Sequence, residues 1–79
     1  MSVKVKLLGT LPSVYAGRYP PSGIRVDLPP GACVADLVET VGIPRARVGM
    51  VTINGTLVRA ADRVPEGADV KLFQKIAGG

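Results

Sequence analysis

Residues 28–44 read LPPGACVADLVETVGIP, and within them the hydrophobic period of the chain changes. Val34, Leu37, Val38 and Val41 fall at i, i+3, i+4 and i+7, which is one apolar stripe of a short helix. Pro29-Pro30-Gly31 ends whatever precedes it. Asp36 lies in the first turn, where a carboxylate complements the positive end of a helix. Gly42 suits the left-handed position after the last turn, Ile43 can fold back onto Val38, and Pro44 stops the helix. Cys33 occupies the N-cap, where Ser, Thr or Asp would serve better.

On both sides of this helix the period is two. Residues 3–8 (VKVKLL) put Val3, Val5 and Leu7 on one face and Lys4, Lys6 and Leu8 on the other. Residues 24–28 (IRVDL) alternate again, with Ile24, Val26 and Leu28 inward. Between them, residues 9–22 (GTLPSVYAGRYPPS) form a long loop with one helical turn expected around Ser13–Ala16. After the helix, residues 48–53 (VGMVTI) make a third strand with Val51 and Ile53 inward and Met50 outward. Asn54-Gly55 is a hairpin signal leading to a short strand at Leu57-Val58. Residues 69–74 (DVKLFQ) close the sheet, with Val70 and Leu72 inward and Lys71 and Phe73 outward. The order strand, strand, helix, strand, short strand, strand predicts an α+β domain, a sheet of four to five strands with one helix packed on one face. The β-grasp fold has this order, as do other small α+β domains.

Composition bounds what such a domain does. Its 79 residues are 47% apolar, enough for one domain with one core, and too few for separate cofactor and substrate lobes. No histidine exists, so His-based triads, general bases and metal sites are excluded. The single Cys33 makes no internal disulfide and no zinc cluster. Its place at the helix start would lower the thiol pKa a little, but a structural role is the expectation. Ten Lys and Arg against six Asp and Glu leave a charge of +4, which favours acidic partners. Residues 1–8 (MSVKVKLL) lack the apolar run of a signal peptide, and no stretch approaches a membrane span. A cytoplasmic chain that is not an enzyme is expected, with no cofactor of its own.

Three segments in this order, LPPGACVADLVE (28–39), INGTLV (53–58) and VPEGADVKLFQKIAGG (64–79), resemble the ubiquitin-like sulfur carriers. These are the small subunit of molybdopterin synthase and the sulfur carrier of the thiamine pathway. The resemblance implies a mixed β-grasp sheet over residues 1–79, with first and last strands parallel at its centre and a flexible Gly-Gly tail at about 75–79. It also implies a chemistry. An activating enzyme of the ubiquitin-activating type uses ATP to adenylate the Gly79 carboxylate, and a persulfide sulfur replaces AMP. The resulting thiocarboxylate donates sulfur through a partner synthase subunit. A glycine pair suits that passage, because without Cβ atoms Gly78 and Gly79 tolerate the narrow channel that shields an acyl-adenylate from water.

The candidate site therefore comprises Gly79 and Gly78 at the reacting end, with Ile76 and Ala77 as contacts in the partner's channel. Phe73 and Met50, brought together if the third and last strands are neighbours, form an exposed docking patch. Lys71 and Lys75 are basic contacts, and Lys4 and Lys6 share the face of Lys71. Tyr15, Arg18 and Tyr19 in the long loop are candidates for a further contact. Two alternatives remain open at this point: a modifier joined through Gly79 to lysines of targets, and a binding module like the TGS domains. With two tyrosines, one phenylalanine and no basic helix, nucleic-acid recognition has little support.

Overall fold

The computed structural model describes residues 1–76. Five strands and one helix follow the expected order: β1 (Ser2–Leu7), β2 (Ile24–Asp27), α1 (Val34–Val41), β3 (Val48–Ile53), β4 (Thr56–Val58) and β5 (Asp69–Gln74). Short 3-10 turns occupy Leu11–Val14 and Arg45–Arg47. The sheet runs β2-β1-β5-β3-β4, with β1 and β5 parallel at the centre and every other pair antiparallel. This is the ubiquitin-like β-grasp architecture.

The alternating residues behave as their period demands. Val3, Val5, Leu7, Val26, Val51, Ile53, Val70 and Leu72 turn inward and meet the α1 stripe of Val34, Leu37, Val38 and Val41. Ile24 is half-buried rather than inside, because it stands at the start of the edge strand β2, where fewer neighbours cover it. The core is aliphatic throughout, and no buried polar or charged side chain is found among the described residues.

The ends of α1 use different means. Gly42, at φ 87°, donates its N–H to the carbonyls of Val38 and Glu39 and closes the helix as predicted. At the other end Cys33 is served by Asp36, whose Oδ2 accepts the Cys33 backbone N–H at 3.0 Å and the thiol at 3.3 Å. That is the back-reaching half of a capping box built on a cysteine. The backbone N–H first, and the thiol second, hold the Asp36 carboxyl below the usual carboxylate range. A lowered folded-state pKa contributes stability that is complete above the unfolded value, about 3.9, and is lost as pH falls through the folded value. The melting temperatures of wild type and Asp36→Asn should therefore differ near neutrality and converge in acid below that folded pKa. A difference that persisted there would assign the effect to something other than the charge.

The loop between β1 and β2 differs from expectation. Its helical turn lies at Leu11–Val14 rather than Ser13–Ala16, because Pro12 supplies the fixed φ suited to a helical start. Leu11, unassigned from sequence, is 1% exposed and belongs to the core. Tyr19 Oη accepts the Leu7 N–H at 2.9 Å, beyond the last β1–β2 pair, Val5 with Ile24. The hydroxyl thus stands in for a missing strand neighbour. Tyr15 packs edge-on against Tyr19 at 6.4 Å, and both lie partly against the core, while Arg18 is exposed. Both tyrosines have a structural duty that the sequence alone did not show. No helix among the described residues is long and apolar enough to cross a membrane.

Candidate functional site

The uncovered face of the sheet carries the residues with odd parity to the core. Lys4, Lys6, Lys71, Phe73, Thr52 and Met50 belong to it, and the strand order sets their neighbours. Phe73 lies directly opposite Met50 across the β5–β3 ladder, as expected. Lys6 pairs with Lys71 across the parallel ladder, so two like charges stand side by side on central strands. Such a pair disfavours its own register slightly and concentrates positive potential on this face. Lys4 has Asp69 and Arg25 as lateral neighbours, so its charge is partly offset.

Towards the end of β5 the face becomes apolar and concave. Leu8, Met50, Phe73 and Ile76 line a groove of about 680 Å³ together with Gly9, Val48, Gly49, Gln74 and Lys75. Met50 is 41% and Ile76 78% exposed, and Phe73 is half-buried. Large apolar side chains clustered at this exposure mark an interaction surface more often than scattered ones do. Lys75, read from sequence as the first tail residue, has its backbone N–H bonded to the Arg47 carbonyl at 2.9 Å. The exposed Ile76 follows directly. Ala77, Gly78 and Gly79 lie outside the described residues.

Sequence reasoning assigned no role to five residues of this groove, Leu8, Gly9, Val48, Gly49 and Gln74, of which three are informative. Leu8 shares the face of the lysines by strict alternation, so its signal was present. Gln74 Oε1 accepts the Thr10 N–H, tying the end of β5 to the start of the β1–β2 loop. Gly49 sits where the β3–β5 register shifts between Val48 and Met50. A Cβ there would lie 2.8 Å from Lys75 Cα and 2.9 Å from the Gln74 carbonyl oxygen. A glycine inside a strand is the usual sign of a bulge or a close backbone approach. Gly49→Ala is therefore expected to push β5 away from β3 at the base of the tail. Destabilisation of about 1–3 kcal/mol should follow, as for other overpacked sites, with amide exchange accelerated first at Lys75. Unchanged exchange there would show that the two backbones have room to separate.

Among the described residues no three metal-ligating side chains come together. The titratable groups of the face are lysines beside Asp69 and Arg25.

These features define a class: a small ubiquitin-like protein with a carboxyl-terminal segment leaving the sheet beside an exposed apolar groove. A family model described as Mut7-C ubiquitin matches residues 2–76, and the chain belongs to that family. No curated protein matches the sequence significantly. Among solved structures, SAMP1 from Haloferax volcanii is similar over 100% of both chains, with 20% identity and a TM-score of 0.73. A second structure of H. volcanii small archaeal modifier protein 1 covers 95% of this chain and 98% of its own, at 18% identity and TM-score 0.72. A protein described as molybdopterin converting factor, subunit 1, from Pyrococcus furiosus matches with the same coverage, 22% identity and TM-score 0.70. The fold expected from the three segments is borne out by these likenesses, and the ubiquitin-like character of the chain by the family match.

Proposed function

We propose that this protein is a sulfur carrier whose Gly79 carboxylate is the reacting group. The carboxylate attacks the α-phosphorus of ATP on a ubiquitin-activating-type enzyme, and pyrophosphate leaves. A persulfide sulfur displaces AMP from the acyl-adenylate, and a thiol then cleaves the acyl disulfide to leave the thiocarboxylate. The catalytic side chains belong to the partner, and the sulfur passes to a synthase subunit in cofactor biosynthesis. The chain itself binds no cofactor, and its partners are cytoplasmic proteins.

The observation that supports this reading most is the exit of β5. The strand leaves the centre of the sheet through the Lys75–Arg47 hydrogen bond and continues into exposed Ile76 beside the Leu8–Phe73–Met50 groove. Lys71 and Lys75 lie on or beside the docking surface and steer it toward acidic partners.

A second reading, conjugation through Gly79 to target lysines, is favoured by the similarity to the small archaeal modifier protein. It shares the adenylate and differs in the product. Intact-mass spectrometry of the chain incubated with its activating enzyme, ATP and a persulfide donor separates the two. Exchange of one oxygen for sulfur, localised to Gly79, is the expected result. An isopeptide adduct on lysine would favour the modifier, and an unchanged mass with a competent enzyme would remove both.

A further inference from the structure

A second concavity lies on the other side of β3 and shares Val48, Gly49 and Met50 with the first. β4 pairs only with Val51–Ile53, so Val48, Gly49 and Met50 have no strand neighbour on that side among the described residues. The chain cannot continue the ladder, because it turns at Arg59, whose N–H is taken by Asp62 Oδ2 at 2.7 Å. It then runs to the start of α1, where the Ala60 and Asp62 carbonyls accept the N–H groups of Ala35 and Val34 at 2.9 Å. The result is a groove of about 470 Å³ with a floor from β3, a wall where α1 presents the half-buried Ala35 over the buried Val34 and Val38, and a rim from Leu57 and Val58. Leu57 is 64% exposed at that rim. Arg45 and Arg59 also line the groove, and no carboxylate does.

We propose that this groove is a second binding site, adjoining the first along β3, for an extended acidic segment of a partner protein laid along the unpaired half of β3. Three observations select that occupant. An open strand edge favours main-chain pairing with an extended chain, and alternate side chains then reach Ala35 and the Leu57–Val58 rim. Two arginines without a lining acid favour carboxylates, and Arg takes them in a planar, two-point geometry. The charge of +4 opposes a second copy of this chain at an already basic groove. Nucleic acid fits less well, because no aromatic side chain lines the groove to stack on a base. The site does not depend on Gly78-Gly79, so it stands or falls apart from sulfur transfer.

The test is NMR titration of the isotope-labelled full chain with a synthetic peptide, acetyl-Glu-Val-Thr-Val-Glu-amide, and with the same peptide carrying Lys for Glu. Shifts are expected at Ala35, Val38, Arg45, Val48–Val51 and Val58–Ala60 with the acidic peptide only. Arg45→Glu combined with Arg59→Glu should weaken binding at least tenfold; both residues are exposed, and an unchanged amide spectrum elsewhere would verify the fold. A chain ending at Ala77 should bind as well as the full one. Shifts confined to Leu8, Phe73 and Ile76, equal binding of the Lys peptide, displacement by oligouridylate with higher affinity, or no shifts at all would each overturn the proposal.

Discussion

A chain ending at Ala77 is expected to yield no thiocarboxylate and yet to compete with the intact chain for the activating enzyme. The first half follows from chemistry. The Gly79 carboxylate is the only group that the proposed reaction activates, and a carboxylate ending two residues early would stop short of the α-phosphorus. Positioning of reacting atoms within about 3–3.5 Å is worth several kcal/mol, so a displacement of two residues takes the rate to background. The second half follows from where the binding surface lies. Met50, Phe73 and Lys71 belong to the β-sheet, Leu8 directly follows β1, and all four are untouched by the deletion. A few anchors near the centre of an interface carry most of its energy, and an aromatic flanked by flexible apolar side chains is a typical one. The truncated chain should thus inhibit with a constant within about tenfold of the intact chain's Kd, a difference of ~1.4 kcal/mol. Its melting temperature should not change, since every buried side chain described precedes Lys75. Persistent sulfur loading of the truncated chain would remove Gly79 from the chemistry. Failure to compete would move the binding energy from the groove to the tail.

The parts of this molecule that were readable in its sequence are those governed by periodicity. The α1 stripe recurs every three to four residues and the strand residues every two, so each side chain's face follows from counting. Parity alone put Met50 and Phe73 on one face, and the β-grasp strand order made them neighbours. What escaped were contacts made without a period. Leu11 is a single leucine among prolines and glycines, and nothing local distinguishes a buried leucine in a loop from an exposed one. Tyr19 caps the Leu7 N–H from twelve residues away, a contact that depends on where the loop returns. Gly49 reads as an ordinary strand position until the bulge is known, and then its missing Cβ is required by the Gln74 and Lys75 backbone. The Asp36–Cys33 cap escaped for another reason: the N-cap signature is written for hydroxyl and carboxamide side chains, and here the acid at the third position does the bonding. The second groove depends on β4 being only three residues long. Turn chemistry at Asp62–Gly67 hints at that length without fixing it.

Leu11→Ala is expected to be among the most damaging single substitutions, although it lies in a segment that composition marks as a loop. Its side chain is 1% exposed within the same core cluster as Leu72 and Val5. Removing three buried carbons from such a site costs about 2–5 kcal/mol, the upper values applying where surrounding atoms cannot collapse into the space. Here the loop is pinned on both sides of Leu11, which limits collapse. The Thr10 N–H is held by Gln74, and the Tyr19 hydroxyl by Leu7. A domain of 79 residues has a total stability of only about 4–12 kcal/mol. The substitution therefore removes about a sixth of it at the least and most of it at the extreme, and at ~4–8 °C per kcal/mol the melting temperature should fall by roughly 8–40 °C. Leu57→Ala supplies the comparison: Leu57 is 64% exposed, and its loss should stay within about 0.5 kcal/mol. Urea unfolding of both variants measures the difference, with a lower midpoint and unchanged slope for Leu11→Ala if native packing alone is affected. Equal midpoints for the two variants would mean that the β1–β2 loop rests on the core without belonging to it. The partly buried tyrosines would then be free for the partner contact that their sequence setting suggested.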